Sequence, residues 1–459
     1  MEELHVVLPA KADATLEAWL DAGGGAGLRT ARELGPDATV EEITASGLRG
    51  RGGGGFPTGT KWGSIRSAGG GEHVVVANGA EGEPASFKDR MLMRRDPYRV
   101  IEGVAIAALC VDARRAFIAT KASFTREIDA LGRAATEMSE VGLLGDLEVT
   151  IVEGPDEYLF GEEKALLEVI EGNDPLPRQL PPWQHGLFAT VELGWEAGTA
   201  GSAAEPVSNP TVVNNVETLA AAAHILAEGA TWYRSFGTAG SPGTVIATVV
   251  GDVRRPGVHE VELGTPFADL LDRCGGPLPG RTFKAAFSGV SNEVLPAWEF
   301  DVPLTYEDLE ARGSGLGAAG FVVYDDTADM VTVARELSRF LAVESCGQCP
   351  PCKQGSLGLT EQLTALGTGD ASDADLAEIQ ALLRSVTDAN RCYLGTGEQR
   401  VVSSVLRAFP DDVAAHLEHP PFTTREIVVP KIVDIGDDGT VEYDTRQARK
   451  RPDWTYAPE

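Results

Sequence analysis

The sequence predicts an α/β domain built on a parallel sheet, followed by a small α+β module and then a helical region. Three observations carry this reading. Between about residues 70 and 240, short apolar runs alternate with helix-patterned segments, the order that produces a parallel sheet covered on both faces. Over 244–324, two strand-like runs flank a turn and a short helix follows. From about 330 to 418 the apolar spacing becomes helical.

Taken in order, Gly23-Gly24-Gly25 reads as a loop and Val40–Ala45 as helix. Val74-Val75-Val76-Ala77 is a buried strand ended by the turn Asn78-Gly79. Asp96-Pro97 opens a helix as cap and first-turn proline, with apolar Val100, Ile101, Val104, Ala107 and Ala108 along it. Ala116–Ala119 and Val149–Val152 are further strands, and Glu162–Ile170 is a helix closed by Gly172. Ligands of such a sheet sit beyond the carboxyl ends of its strands. Thr244–Val250 and Val258–Val261 are paired strands, and Phe267–Arg273 is a helix ending at Gly275-Gly276. Ala334, Leu337, Phe340 and Leu341 then share one helical face, and 375–386 and 401–417 repeat the habit. The expected divisions are 1–240, 241–326, 327–420 and a polar tail, 421–459. Its basic run Arg449-Lys450-Arg451 reads as a solvated terminus.

The chain has 459 residues, enough for two to four domains. It carries 39 Lys and Arg against 69 Asp and Glu, a net charge of −30. Such a surface repels phosphate backbones and anionic lipid heads, so no nucleic-acid partner is expected. No stretch approaches the ~20 apolar residues that span a bilayer, so direct membrane insertion is not expected either. Met1-Glu2-Glu3-Leu4 lacks the basic and apolar regions of a signal peptide. The expected location is the cytoplasm, including the cytoplasmic face of a membrane complex.

Six cysteines are too few for a disulfide framework at this length. Cys346, Cys349 and Cys352 are each separated by two residues, and Cys392 follows later. Three thiolates from one tight loop and a distant fourth match the corners of a [4Fe–4S] cluster. A structural zinc site is the alternative, although zinc usually takes two cysteine pairs. Cys110 and Cys274 lie in apolar helix-like contexts and read as buried structural thiols. Two cysteines are too few for a second centre with four thiolate ligands.

The most distinctive stretch runs from Ser46 to Trp62 and contains Gly50, Gly52, Gly53, Gly54 and Gly55. Gly50, Gly52 and Gly55 satisfy a dinucleotide fingerprint formally, but a helix and not a strand precedes them. The phosphate-loop pattern fails because Thr60 separates Gly59 from Lys61. Bare backbone N–H groups with Arg49, Arg51 and Lys61 still make an anion cradle, and Phe56 and Trp62 offer aromatic surface. A merely flexible loop is the plain alternative.

The glycine loop, the cysteine set, Tyr158–Glu163 and Pro210–Thr218 together resemble the NADH-binding flavoprotein subunit of respiratory complex I. Its relatives include diaphorase subunits of NAD-linked hydrogenases and formate dehydrogenases. The resemblance covers roughly 30–420. It implies an FMN- and NADH-binding α/β domain, a β-grasp module of the soluble-ligand-binding type, and a helical bundle holding the [4Fe–4S] cluster on Cys346, Cys349, Cys352 and Cys392. It implies that Gly50, Arg51, Gly52, Gly53 and Lys61 cradle the flavin and its phosphate, with Asn78 beside them. Glu81 and Glu83 would lie near flavin and nicotinamide. Tyr158, Gly161, Glu162 and Glu163 would line the flavin, and Val213, Asn214, Asn215 and Thr218 would hold its phosphate side. Phe56 and Trp183 would face the adenine. No general acid or base is implied, because the cofactors carry the chemistry. The implied partner is an electron-accepting subunit, a thioredoxin-like [2Fe–2S] protein.

Several of these residues also have plain structural readings. Glu162 and Glu163 start a helix, where the dipole favours carboxylates. Asn214-Asn215 would serve as a helix cap, and Trp183 as core. The chain departs from the family pattern at Ser64, Ala80 and Leu180, and its stretch from Trp183 to Pro210 is longer than usual. These departures cluster on the nicotinamide side. They leave a second reading, a flavin and iron–sulfur electron-transfer subunit with another donor.

Overall fold

A computed structural model describes residues 4–12, 15–189, 207–418, 425–436 and 438–458. Residues 190–206, within the long stretch after Trp183, lie outside them. Strands β1 (Val74–Asn78), β2 (Arg115–Lys121), β3 (Glu148–Gly154) and β4 (Thr211–Asn215) form a wholly parallel sheet in the order β3-β2-β1-β4. Val74 to Ala77 are buried because apolar clusters cover both faces, which is why this strand is continuously apolar. On one face lies the helix Pro97–Val111, whose Asp96 cap accepts the Arg99 N–H at 2.9 Å. It packs on the helix Val216–Glu228 so closely that a Cβ on Gly103 would stand 2.1 Å from the Leu219 carbonyl oxygen.

The register decides where a ligand can sit. Asn78 pairs laterally with Asn215, so both asparagines stand at the carboxyl ends of neighbouring strands. The chain leaves β1 towards β2 on one side and returns as β4 on the other, which makes this gap the switch point of the sheet.

Five further strands, β5 (Thr244–Gly251), β6 (Gly257–Glu262), β7 (Phe283–Ser288), β8 (Leu295–Pro296) and β9 (Gly320–Asp325), form a mixed sheet in the order β6-β5-β9-β7-β8. Helices Met330–Glu344, Pro350–Thr368, Asp373–Ser385, Leu394–Ala408 and Pro410–Glu418 follow. One apolar core runs through all of these parts. Leu159 of the first, Phe287 of the second, and Phe340, Cys352 and Val402 of the third belong to the same buried cluster. Cys110 and Cys274 are buried, and burial pushes both thiols up to about 12, as expected of structural cysteines.

The carboxyl-terminal stretch corrects the expectation of a solvated tail. Strands β10 (Ile432–Ile435) and β11 (Val441–Tyr443) pair as a hairpin, and Ile427 and Ile435 are buried. The Lys450 side chain is fully enclosed against Glu344. The sequence hides this because a basic run has no periodicity and its acidic partner lies 106 positions earlier.

Lys121, at the end of β2, is also buried, and its ammonium donates to the Asp156 carbonyl at 3.2 Å. Burial, helped by repulsion from Lys431, lowers its pKa from 10.5 to about 7. Between these values the unfolded chain binds a proton that the folded chain does not, so stability rises with pH across that window. The limiting slope is about 1.4 kcal/mol per pH unit. The unfolding free energy of the unaltered protein minus that of Lys121→Met is therefore expected to rise from pH ~7 to pH ~10, followed by denaturant titration. A flat difference would show that Lys121 stays charged when folded.

Candidate functional site

The glycine loop is held in shape by its own backbone. The Gly50 N–H donates to Phe56 O at 2.9 Å, the Thr58 N–H donates to Leu48 O at 2.9 Å, and Arg49 Nε donates to Gly55 O at 2.7 Å. The helix Thr58–Ser67 follows directly. Between these ties Gly52, Gly53 and Gly54 line a cavity of about 630 Å³. Gly53 has φ 113°, a conformation that favours glycine, and a Cβ on Gly52 would press on Asn215 Cβ at 3.1 Å. A Cβ on Gly54 would meet nothing within 4 Å. Bare backbone therefore faces open space at the switch point, which fits a flat ring system and an anionic group.

The cavity brings together most of the expected residues. Asn78, Glu81, Glu83, Tyr158, Gly161, Glu162, Glu163 and Asn215 all line it. Asn78 Nδ2 donates to Gly161 O at 2.8 Å, which ties the sheet end to the Tyr158–Glu163 segment. Asn215 Oδ1 caps the following helix through the Glu217 N–H at 2.9 Å, while its Nδ2 donates to Asp89 at 2.7 Å. The Tyr158 hydroxyl donates to Glu83 at 2.7 Å, and the Val290 N–H donates to the other carboxylate oxygen at 2.6 Å. Burial raises the Glu83 pKa above the ordinary value.

Glu81 accepts the N–H groups of Asp89 and Arg90 at 2.9 and 3.0 Å, and burial with the nearby Asp89 charge raises it to about 7. Glu162 caps its helix through the Lys164 and Ala165 N–H groups at 2.9 and 3.0 Å, and burial raises it to about 7. The capping readings hold for Glu162 and for Asn215, though not for Asn214, and Glu162 and Asn215 also face the cavity.

A second group of contacts supports the loop, and of its residues Lys61, Val213, Asn214 and Thr218 do not line the cavity, whereas Glu163 and Tyr306 do. Lys61 donates to Val213 O at 2.9 Å and pairs with Glu163 at 3.2 Å. Asn214 Oδ1 accepts from Trp62 Nε1 at 2.7 Å. Thr218 Oγ1 accepts the Arg51 N–H at 2.8 Å, and the Tyr306 hydroxyl donates to Gly50 O at 3.0 Å.

The Arg51 side chain overturns an expectation. It turns away from the cavity and donates to the Tyr306 and Tyr233 hydroxyls, both at 2.8 Å, and to Thr244 O at 2.9 Å. Burial opposes its charge, but Tyr233, Tyr306 and Glu217 raise its pKa. Glu217 also pairs with the buried Lys88 at 2.6 Å. Phe56 and Trp183 do not line the cavity either. They stand 53% and 52% exposed, because none of the apolar clusters extends to them.

Sequence reasoning missed the walls supplied from far along the chain. Tyr306 and the stretch 314–318 enter from the middle module, and Tyr393 and Arg400 enter from the helical region. The one available signal is the position of Tyr393 next to Cys392.

Cys346, Cys349, Cys352 and Cys392 line one small pocket with Leu159, Pro177 and Leu394. Among the described residues, no group of three or more His, Cys, Asp or Glu is drawn close enough for a single metal ion. The four thiols border one pocket together, three from a single loop and one from a distant position, as the four corners of a [4Fe–4S] cluster require. The Arg391 N–H donates to Cys349 Sγ at 3.4 Å and Gln348 Nε2 donates to Cys346 Sγ at 3.7 Å. Burial raises Cys352 and pushes Cys392 up to about 12, so thiolates here need compensating cations. Cys392, Leu159 and Leu394 line both the large cavity and this pocket.

Fold and site define a flavin- and iron–sulfur-type electron-transfer subunit. Residues 43–224 match the Nuo51 FMN-binding domain, 246–286 the SLBB domain, and 332–416 the NADH-ubiquinone oxidoreductase-F iron-sulfur binding region. The chain is 37% identical to the second NADH-quinone oxidoreductase-F protein of Rhizobium meliloti (strain 1021), over 88% of this chain and 95% of that protein. It is 35% identical to the alpha subunit of the NAD-reducing hydrogenase HoxS of Cupriavidus necator, over 82% of this chain and 60% of that one. A crystal structure of an NAD+-reducing [NiFe]-hydrogenase in the H2-reduced state matches with a TM-score of 0.76 at 32% identity, covering 89% of this chain and 67% of that one. The chain belongs to the NADH-quinone oxidoreductase-F family.

Two outcomes follow from this geometry. Glu217→Ala removes the carboxylate facing the buried Arg51 and leaves the buried Lys88 paired with Asp89 alone at 2.7 Å, and is expected to cost about 3 kcal/mol of unfolding free energy, measured by denaturant titration. Cys392→Ser is expected to lose most of its iron and acid-labile sulfide while keeping its flavin; full iron retention would remove Cys392 from the ligand set.

Proposed function

We propose that this chain is the NADH-oxidising member of a multi-subunit oxidoreductase, holding FMN in the large cavity and a [4Fe–4S] cluster on Cys346, Cys349, Cys352 and Cys392. The observation that carries the reading is the common wall. Cys392, Leu159 and Leu394 border both the glycine-lined cavity and the thiol pocket. When bound, FMN would supply hydride acceptance from NADH together with one-electron release, and the cluster would supply one-electron conduction.

The protein's own contribution is placement and field. Gly52 and Gly53 present backbone to the cofactor, and Asn78, Asn215, Tyr158 and Gly161 shape its bed, with Lys61, Val213, Asn214 and Thr218 supporting them. Glu81, Glu83, Glu162 and Glu163 make the cavity acidic. That field disfavours an added phosphate, so NADH is preferred to NADPH. The residues fall into an FMN/NADH-binding part at 1–240, a soluble-ligand-binding-type module at 241–326 and a cluster-binding part at 327–420.

Cys110 and Cys274 are buried in separate apolar cores. Electrons therefore leave to a partner protein, and a thioredoxin-like [2Fe–2S] protein is the proposed acceptor. No helix among the described residues is long and apolar enough to cross a membrane. The assembly is proposed to work in the cytoplasm, including the cytoplasmic face of a membrane complex.

Anaerobic titration of the purified protein should show NADH bleaching the flavin and then reducing the cluster, with NADPH much less effective. If neither nucleotide bleaches a flavin that dithionite reduces, the donor is another electron carrier.

A further inference from the structure

The carboxyl-terminal segment reaches the seam between the cavity and the thiol pocket. Lys450 Nζ lies 2.9 Å from both carboxylate oxygens of Glu344, and both side chains are wholly enclosed. Glu344 ends the helix Met330–Glu344 two residues before Cys346. The same carboxylate accepts the Tyr158 N–H at 3.2 Å and Gln447 Nε2 at 3.0 Å. Tyr158 lines the cavity, and the next residue, Leu159, belongs to the common wall. One carboxylate therefore joins the flavin side, the cysteine loop and the tail.

A second tie lies on the other side of the cysteine triplet. Lys353, next to Cys352, donates to Pro452 O at 2.7 Å and to Ser345 O at 2.8 Å. Further back, the segment is tied to the remaining parts of the chain. The Ala85 N–H donates to Pro430 O at 2.8 Å, and Arg425 donates to Asp252 at 2.9 Å. The residues matched to the iron-sulfur binding region end at 416, so this segment lies beyond it.

We propose that Lys450 is a positioning residue for electron transfer. Through Glu344 it fixes the Tyr158–Leu159 wall against the Cys346–Cys352 loop, and its ammonium balances the carboxylate beside the cluster. A buried ammonium and carboxylate at this contact hold one register, because any other leaves a charge unpaired. This rests on the functional reading above for its electron donor, but its structural consequence at the cluster does not.

The test uses full-length holoprotein. Lys450→Met leaves the Glu344 charge uncompensated two residues from Cys346. The reduced cluster is expected to change its electron paramagnetic resonance line shape and to become harder to reduce. Its reduction after rapid mixing with NADH is expected to slow by about tenfold or more, with the preceding flavin bleaching unchanged. Lys450→Arg, which keeps the charge, is expected to restore most of the unaltered behaviour. Gln447→Leu, which removes one bond to the same carboxylate without stranding a charge, is expected to shift the spectrum in the same direction by less.

Unaltered spectrum, potential and transfer rate in Lys450→Met would overturn the proposal. If that variant does not fold, an unaltered spectrum in Gln447→Leu overturns it. If NADH fails to bleach the flavin even in the unaltered protein, the functional reading fails, and the dithionite-reduced spectra of the variants still decide the role of Lys450.

Discussion

The glycine loop exists in one shape because charges are buried beneath it. Glu217 sits at the start of a core helix and pairs with Lys88 at 2.6 Å, while its other oxygen accepts the Ile246 N–H at 3.0 Å. The Arg51 guanidinium joins the same region, with bonds to Tyr233, Tyr306 and Thr244. None of these charges can be exposed, so each must find its partner, and the partners come from both the parallel-sheet domain and the middle module. A loop of five glycines would otherwise sample many conformations. The enclosed arginine converts it into a rigid floor, and the glycines remain useful because they leave the backbone bare.

The second constraint is the shared wall. The flavin-type cavity and the thiol pocket share Leu159, Cys392 and Leu394 in their walls. That proximity is not a property of either domain alone. It arises because one apolar core continues from Leu159 through Phe287 to Phe340 and Val402, so the parts cannot slide without opening a cavity. The buried carboxylate of Glu344 adds direction to this packing. Apolar contact holds surfaces together, whereas a hydrogen-bonded ion pair specifies which atoms meet.

Several residues serve two ends at once. Glu81, Glu162 and Asn215 cap helices and also face the cavity. A helix amino terminus needs an acceptor, and an anion site needs helix amino termini, so the same atoms satisfy both demands. A capping role and a functional one therefore do not exclude each other at these positions.

Local pattern alone determined a great deal. The apolar runs placed β1 to β3, Asp96-Pro97 placed its helix, and the cysteine spacing singled out the thiol loop, because each signal lies within a few residues of what it specifies; β4 was not read from the sequence. The direction of the Arg51 side chain, the exposure of Phe56 and Trp183, the walls from Tyr306, Tyr393 and Arg400, and the buried end of the tail were decided only in three dimensions. Each depends on a partner a hundred or more positions away, or on what remains to cover a surface once the core is full. A single sequence carries no local trace of either, since burial and charge pairing belong to the packed whole.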